Sequence, residues 1–117
     1  MDISFIIVNW NTEGLLRDCL ISIMKTMETL MYEIIVVDNA STDGSVDMLK
    51  REYPQVRVIA NRENRGFGAA NNQGFAVMTG RYALLLNTDA VLTPGAVCKL
   101  WRYAEANPRA AIVCGQL

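Results

Sequence analysis

The apolar residues of the chain are concentrated in five short, almost uninterrupted runs that are rich in β-branched side chains. These runs cover residues 3–8, 33–37, 56–60, 82–86 and 110–114. A strand with one face in solvent alternates apolar and polar residues, whereas a strand covered on both faces is apolar throughout. The pattern therefore predicts a parallel sheet with both faces covered.

Segments with helical spacing lie between the predicted strands. The first spans residues 15–31, and its apolar side chains recur at three- and four-residue steps. They are Leu16, Leu20, Ile23, Met24, Met27 and Met31. We expect this methionine-rich face to pack on the sheet; contact with a membrane surface or a partner helix is the alternative. A second helix is predicted over about residues 43–52.

Turn-forming residues mark the ends of the last two predicted helices. The third covers about residues 68–78, and Gly80 is expected to end it as a left-handed cap. Thr93 is the predicted N-cap of the fourth, with Pro94 at its first helical position and Asn107-Pro108 at its end. This βαβαβαβαβ order predicts one α/β domain over all 117 residues, an open and mostly parallel twisted sheet with helices on both faces.

Composition narrows the possible functions. The net charge of −1 leaves no basic stripe for a nucleic-acid backbone, so we expect no nucleic-acid partner. The longest apolar runs are far shorter than the roughly 18 residues of a membrane span. The absence of histidine excludes Ser-His and Cys-His nucleophile pairs and the usual zinc ligands. Any chemistry therefore depends on carboxylates, amides and the backbone.

The cysteines, Cys19, Cys98 and Cys114, are scattered among apolar neighbours. An odd number, without the spacing of a metal-binding or redox pair, suits reduced thiols in a core better than a disulfide framework. Reduced thiols are typical of the cytoplasm, and we therefore expect a cytoplasmic protein.

Polar residues directly follow the first four predicted strands. The strand ends continue into the segments VNWNTEG, DNASTDGS, NRENRGFGAANNQG and NTDA. The carboxyl ends of parallel strands share one edge of the sheet, and open α/β sheets bind their ligands at this edge. We therefore expect the amides and carboxylates of these segments to form one polar binding site.

Each of these polar residues also has a purely structural explanation. Asp38 can stabilise the turn before the following helix, and Asn11 or Thr12 can cap the first helix. Gly66 can serve a tight turn, and Arg65 is by default a solvated charge. Independent turns would not need to share one edge, so their convergence favours a ligand site.

The glycine-rich segment GFGAAN, residues 66–71, departs from the common nucleotide fingerprints. It has the first two glycines of G-x-G-x-x-G, but Asn71 occupies the third position, and the segment follows the third strand rather than the first. The sequence also lacks a G-x-x-x-x-G-K-[ST] loop. It therefore disfavours both a dinucleotide-dependent dehydrogenase and a P-loop protein.

Asp89 follows the leucine run of the fourth strand in the segment LLLNTDA. A carboxylate just beyond a buried parallel strand suits a hard divalent cation. Magnesium and manganese are commonly held by one or two carboxylates, while substrate phosphates and water complete the shell. The alternative is that Asp89 is a turn residue before the fourth helix.

Four segments, in this order and spacing, resemble the amino-terminal half of the family 2 glycosyltransferases, which have the GT-A fold. They are FIIVNWN, EIIVVDNASTDGS, ENRGFGAANNQG and GRYALLLNTDAVLTPGA, and the likeness covers essentially the whole chain. The resemblance implies a Rossmann-like half that binds a nucleotide-diphospho-sugar donor, a UDP- or dTDP-sugar. By this resemblance, the base and ribose pocket is lined by Val8, Asn9, Asp38 and Asn39, and its wall is continued by Arg65, Gly66 and Asn71.

The segment Asn87-Thr88-Asp89 falls on the family's Asp-x-Asp motif. The resemblance makes Asp89 the ligand of a divalent cation, Mn or Mg, and places Asn87 near the sugar or ribose. Asparagine at the first position of the motif removes one anionic ligand.

Inverting members of the family take their general base, a carboxylate, from a later segment. After Asp89 this chain has one carboxylate, Glu105, within the last predicted helix and away from any strand end. We do not assign it as the base, and no catalytic residue is assigned in this chain. The chain is expected to be a truncated catalytic domain, its donor-binding half, and to be inactive in isolation.

The sequence thus predicts the donor-binding region of an inverting glycosyltransferase of polysaccharide, cell-wall or glycolipid synthesis. The acceptor would be a carbohydrate or glycolipid, and the full-length protein would be associated with the cytoplasmic face of the membrane. One alternative is a non-catalytic nucleotide- or sugar-binding module. Another is a nucleotidyltransferase, which the absence of a basic, glycine-rich loop after the first strand disfavours.

Overall fold

The computed structural model describes residues 1–27 and 29–108 of the chain. Strands and helices alternate strictly in this part. In order they are β1 (Ile3–Asn9), α1 (Glu13–Thr26), β2 (Tyr32–Asp38), α2 (Ser45–Glu52), β3 (Arg57–Ala60), α3 (Phe67–Val77), β4 (Tyr82–Leu86) and α4 (Ala96–Ala106). This is the predicted order, and the fifth predicted strand, residues 110–114, lies outside the described residues.

The four strands form one parallel sheet in the order β3-β2-β1-β4. β1 is central: it pairs with β2 from Ile3↔Tyr32 to Asn9↔Asp38, and with β4 on its other side. Because all strands run in one direction, their carboxyl ends meet at a single edge. The predicted α/β class, a parallel sheet with helices on both faces, is confirmed.

The core consists of two apolar layers, one on each face of the sheet. The larger layer joins β1 and β2 to α1, α2 and α4, and its members include Phe5, Ile7, Leu16, Leu20, Ile23, Ile34, Val36, Met48 and Val97. On the opposite face, Ile6, Ile35 and Val37 pack against Ala70 of α3. Residue-by-residue alternation along β1 thus supplies both layers.

The predicted extent of the first helix is too long. The helix ends at Thr26, and Met31, expected on its apolar face, is 66% exposed. The Met31 carbonyl oxygen accepts hydrogen bonds from the amides of Asp2 and Ile3, and its own amide donates to the Asp2 carboxylate. These contacts align residue 31 with the start of β1, so the chain is already extended ahead of β2.

Coverage of both sheet faces holds for β1 and β2 but not for the strands beside them. Along β4, half-buried and exposed residues alternate, and Leu85 is 48% exposed. In the described part of the chain, the apolar layer on the α3 side of the sheet includes residues of β1 and β2 but none of β4. The apolar run of β4 therefore did not indicate a fully covered strand.

Two predicted helix ends are also wrong. Gly80 is not left-handed; the Ser4 backbone nitrogen lies only 2.6 Å from where its Cβ would be, so glycine is needed there for close approach to β1. Helix α4 begins at Ala96 rather than at Pro94, and Gly95, in the left-handed conformation, is its N-cap. Thr93 instead closes a turn, because its carbonyl oxygen accepts from the Ala96 amide at 3.2 Å.

None of the described helices is long and apolar enough to cross a membrane.

Candidate functional site

A pocket of about 540 Å³ opens at the carboxyl edge of the sheet, where the loops after all four strands meet. Its wall is formed by Val8, Trp10, Thr12, Leu15, Asn39, Asn64, Gly66, Phe67, Asn87, Thr88 and Asp89. The volume is within the usual range for small-molecule sites, roughly 300–1,000 Å³. The edge predicted from the parallel strands is therefore also the site of a ligand-sized cleft.

Five residues predicted to bind a nucleotide sugar or its metal line this pocket. They are Val8, Asn39, Gly66, Asn87 and Asp89. The other four, Asn9, Asp38, Arg65 and Asn71, do not line it. Asn9, Asp38 and Asn71 are buried, and Arg65 is exposed on the loop before α3.

Asp38 and Asn9 form a buried polar pair behind the pocket wall. Asn9 Nδ2 donates to Asp38 Oδ1 at 2.8 Å, and the Asp38 carboxylate also accepts from the amide and hydroxyl of Ser41. Buried polar groups are stable only when they are paired in this way. Asp38 thus orders the turn after β2, and its contribution to binding remains a prediction.

Asn39 fixes the glycine-rich loop. Its Nδ2 donates to the Gly66 carbonyl oxygen at 3.1 Å, and its Oδ1 accepts from the Arg65 amide at 3.3 Å and from Asn61 Nδ2 at 3.0 Å. Gly66 has φ +82°, a conformation that side-chain-bearing residues rarely adopt. The loop is therefore shaped by its hydrogen bonds to the end of β2 as well as by its own glycine.

The loops after β1 and β2 are joined by side chains that accept backbone hydrogen bonds. Asn11, in the left-handed conformation at φ 52°, accepts from the Thr42 amide at 2.7 Å. Asp43 accepts from the first amides of two helices, Glu13 of α1 at 3.1 Å and Ser45 of α2 at 3.0 Å. Carboxylates stabilise helix amino termini because the terminal amides lack partners there. The two loops therefore act as one platform.

Thr12 has the N-cap position of α1 that the sequence predicted, but its side chain does not cap the helix. Its hydroxyl lies 2.7 Å from Asn9 Oδ1 and 3.1 Å from the Thr88 hydroxyl. The Asp43 carboxylate takes over the capping contact instead. Thr12 is thereby free to connect the end of β1 with the loop after β4.

The Asn87-Thr88-Asp89 segment forms a tight turn directly after β4. The Ala90 amide donates to the Asn87 carbonyl oxygen at 3.0 Å, and the Cys19 thiol lies 3.8 Å from the same oxygen. Burial, and secondarily the negative charge of Asp89, raise the pKa of the Cys19 thiol to about 11. Cys19 therefore remains a neutral thiol that packs beneath the turn.

The acidic side chains in the described part of the chain form no group of three metal ligands. Asp89 is the one carboxylate on the pocket wall, accompanied there by the neutral oxygens of Asn87 and Thr88. Manganese and magnesium sites that include a substrate diphosphate need only one or two protein carboxylates. The residues present therefore fit a cation shared with a phosphorylated ligand.

Sequence reasoning missed the apolar part of the pocket. Trp10, Leu15 and Phe67 line it and are 56%, 47% and 58% exposed. Exposed apolar side chains that cluster around one cleft are typical of ligand-binding surfaces. A tryptophan between two asparagines, directly after a strand, was the available signal.

Glu105 lies away from this pocket. It accepts from the Tyr82 hydroxyl at 3.2 Å and forms an ion pair with Arg81 at 3.1 Å. Tyr82 begins β4, so Glu105 lies near the amino edge of the sheet, opposite the pocket. Glu105 is therefore not positioned to act as a base in this pocket.

The chain matches the model of Glycosyl transferase family 2 over residues 4–117. The poly(ribitol-phosphate) beta-glucosyltransferase of Bacillus spizizenii is 35% identical to it over 122 residues, which cover 100% of this chain and 19% of that protein. The dolichyl-phosphate beta-glucosyltransferase of Saccharomyces cerevisiae is 33% identical over 74% of this chain and 29% of its own length.

Solved structures share the fold. TarS residues 1–349 of S. aureus, in complex with UDP-GlcNAc, superposes with a TM-score of 0.81 at 20% identity, over 92% of this chain and 32% of that one. The mannosyltransferase PcManGT of Pyrobaculum calidifontis, in complex with GDP-Man and Mn²⁺, has a TM-score of 0.79 at 23% identity, over 87% and 32%. The chain thus spans a third or less of the length of these relatives and structures. The resemblance inferred from four motifs is confirmed, and the chain belongs to glycosyltransferase family 2.

Proposed function

We propose that this chain is the donor-binding region of a glycosyltransferase and that it binds a nucleotide-diphospho-sugar in the pocket at the carboxyl edge of the sheet. The supporting observation is the composition of that pocket wall. Exposed Trp10 and Phe67 lie together with Asn39, Asn87 and Asp89 around one cleft. This combination suits a nucleotide sugar, because its base is flat and apolar on its faces while its ribose, diphosphate and sugar are polar.

The apolar and polar parts of the wall suggest how the donor is oriented. Trp10 and Phe67 offer faces on which a base stacks, a contact worth about 1–3 kcal/mol. Val8 and Asn39, at the ends of β1 and β2, would line the base and ribose. The buried Asn9–Asp38 pair, together with the network of Asn39, would keep this wall in shape. Asn87 would face the sugar or ribose.

We further propose that Asp89 holds a divalent cation, Mn or Mg, together with the donor diphosphate. The single carboxylate matches a site in which phosphates supply the other anionic ligands. When bound, such a cation neutralises charge on the departing nucleotide diphosphate during transfer of the sugar. Asp89 would then contribute electrostatically, by attracting the cation to the diphosphate end of the pocket.

The relatives support a role in polymer or lipid glycosylation. One is named for poly(ribitol-phosphate) and another for dolichyl-phosphate, so we propose a carbohydrate or glycolipid acceptor. Cys19 and Cys98 are free thiols, as is typical of cytoplasmic proteins. We therefore propose that the protein is located in the cytoplasm, at the membrane face. The general base for the acceptor hydroxyl would be a carboxylate other than Glu105.

A non-catalytic nucleotide- or sugar-binding module is the second candidate. Its support is that Glu105 lies at the edge of the sheet opposite the pocket, so the described residues after Asp89 place no carboxylate in the pocket. Transfer of a sugar to an acceptor by the full-length protein would decide against this candidate. Donor binding without transfer would favour it.

Thermal unfolding of the purified chain with added nucleotides tests donor binding. Uridine or thymidine diphosphate at a hundred times its dissociation constant should stabilise the fold by about 2.7 kcal/mol and raise the melting temperature. Nicotinamide adenine dinucleotide is the control, since the glycine-rich loop lacks its fingerprint. Equal stabilisation by the dinucleotide, or none by any nucleoside diphosphate with or without manganese, would contradict the proposal.

A further inference from the structure

A chain of hydrogen bonds connects the end of β2 with the turn after β4. Asn9 Nδ2 donates to Asp38 Oδ1 at 2.8 Å, and the Thr12 hydroxyl lies 2.7 Å from Asn9 Oδ1. The hydroxyl oxygens of Thr12 and Thr88 are 3.1 Å apart. Asn9 and Asp38 are 0% and 1% exposed, so water does not compete with the hydrogen bond between them.

The direction of these hydrogen bonds follows from donor and acceptor chemistry. Asp38 accepts from Asn9 and from two groups of Ser41, as a carboxylate does. The Asn9 amide must therefore present its NH₂ group to Asp38 and its oxygen to Thr12. The opposite orientation of the amide would place two acceptor oxygens against each other.

The Thr12 hydroxyl bridges this buried pair and the turn after β4. It donates to Asn9 Oδ1 at 2.7 Å and contacts the Thr88 hydroxyl at 3.1 Å. Thr12 thereby holds the Thr88 side chain on the wall of the pocket that Thr88 lines.

We propose that Thr12 is a positioning residue that holds the Thr88 hydroxyl on the pocket wall, where this oxygen is a neutral ligand for a divalent cation beside Asp89. A single carboxylate leaves a hard cation in need of neutral oxygen ligands. Thr88 and Asp89 are consecutive in the same turn and line the same pocket. The inference rests on the proposed function, since it concerns the cation of the same donor site.

Calorimetric titration of uridine diphosphate into the chain, with and without manganese chloride, measures the effect of Thr12. Thr12→Val removes the hydroxyl at nearly constant volume. We expect the gain in affinity caused by manganese to fall about tenfold, as for the loss of an outer-shell partner of a metal ligand. The metal-free affinity should fall less than the affinity with manganese, and Thr12→Ser should restore the manganese effect.

Thr26→Val is the matched control. It removes another hydroxyl of the α1 region, whose partner is the Ser22 carbonyl oxygen at 2.7 Å, outside the pocket wall. Melting curves of all variants separate altered binding from altered folding. If Thr12→Val does not fold, Thr88→Val tests the same chain of contacts from its more accessible end, with the same expected loss.

A double variant distinguishes action through Thr88 from direct action. In a Thr88→Val background, Thr12→Val should cause no further loss of the manganese effect. An unchanged manganese effect in Thr12→Val, or an equal loss of affinity with and without the metal, would overturn the inference while leaving the proposed function intact. Absence of uridine diphosphate binding by the wild-type chain under both conditions would overturn both.

Discussion

Asn39 and Gly66 are joined by a hydrogen bond of 3.1 Å, from Asn39 Nδ2 to the Gly66 carbonyl oxygen, so the residue after β2 fixes the loop before α3. The other end of the same amide accepts from the Arg65 backbone. Asn39 is 2% exposed, whereas Gly66 is exposed on the pocket wall. One buried amide thus determines the shape of an exposed binding surface.

Asn39→Ala should loosen this loop and weaken nucleotide binding. Removing the amide leaves the Arg65 backbone amide without its acceptor, and the Gly66 carbonyl oxygen keeps only the Ala70 amide at 3.2 Å. An unpaired group of this kind costs about 1–3 kcal/mol of stability. We expect faster hydrogen exchange at the Arg65 amide and a loss of uridine diphosphate affinity of about tenfold, equivalent to ~1.4 kcal/mol. Asn72→Ala, on the exposed side of α3, is the control. Unchanged exchange at Arg65 would show that the loop does not depend on Asn39.

Asp43→Asn should reduce stability at neutral pH and diminish the loss of stability in acid. Burial opposes ionisation of Asp43, but hydrogen bonds from Ser45 and Glu13 outweigh it and lower the pKa below its ordinary value of 3.8. A carboxyl group with a lowered folded-state pKa stabilises the fold above the unfolded pKa, and this stability disappears as the pH falls through the folded pKa.

Urea denaturation of wild type and Asp43→Asn between pH 7 and pH 3 measures this dependence. At pH 7 the variant should be less stable by about 0.3–1 kcal/mol, the typical contribution of a negative charge at an exposed helix amino terminus. The difference should narrow as the pH falls below about 4. Asp18→Asn, on an exposed position of α1, is the control. A difference that stays constant over this range would exclude the charge of Asp43 as its source.

Gly80→Ala should destabilise the fold, whereas Gly68→Ala should not. A Cβ at residue 80 would approach the Ser4 nitrogen and hydroxyl to 2.6 Å, and the strand backbone cannot give way cheaply. Overpacking of this kind costs about 1–3 kcal/mol. A Cβ at residue 68 meets open space within α3, where alanine is the better helix former. Equal melting temperatures for the two variants would contradict the close approach.

Asp38→Ala should lower stability by about 1–3 kcal/mol for the groups left unpaired, because Asn9 Nδ2 and the Ser41 amide both lose their acceptor. It should also weaken nucleotide binding equally with and without manganese, since Asp38 lies behind the wall that we propose for the base and ribose. Chemical denaturation and calorimetry separate the two effects. Normal nucleotide affinity in a destabilised variant would limit Asp38 to the turn after β2.

The order of elements and the edge that contains the pocket could be predicted because both follow from local patterns. Apolar runs such as residues 33–37 formed central strands, and parallel strands necessarily bring their carboxyl ends together. Coverage of β4 could not be predicted, because an apolar run indicates what a strand can bury rather than what packs on it. The exposure of Leu85 depends on where α3 lies.

Within the site, sequence reasoning identified the polar residues but not which of them reach the pocket. Asn9 and Asn39 both follow strands, yet Asn9 is turned toward Asp38 and Asn39 toward Gly66. Side-chain direction at a strand end depends on long-range partners, which a single sequence does not display. The local sequence likewise offered Asn11 or Thr12 as the cap of α1, whereas Asp43, distant in sequence, provides that contact.

Titration of uridine diphosphate into wild type and Asp89→Asn, with and without manganese chloride, tests the central claim most directly. Asparagine keeps the shape of the side chain but removes the charge that a hard cation requires. The remaining wall has no other carboxylate to replace it. The account predicts that Asp89→Asn loses the manganese-dependent gain in affinity and retains the metal-free affinity. An unchanged manganese gain in Asp89→Asn would contradict it and would show that Asp89 is a turn residue after β4.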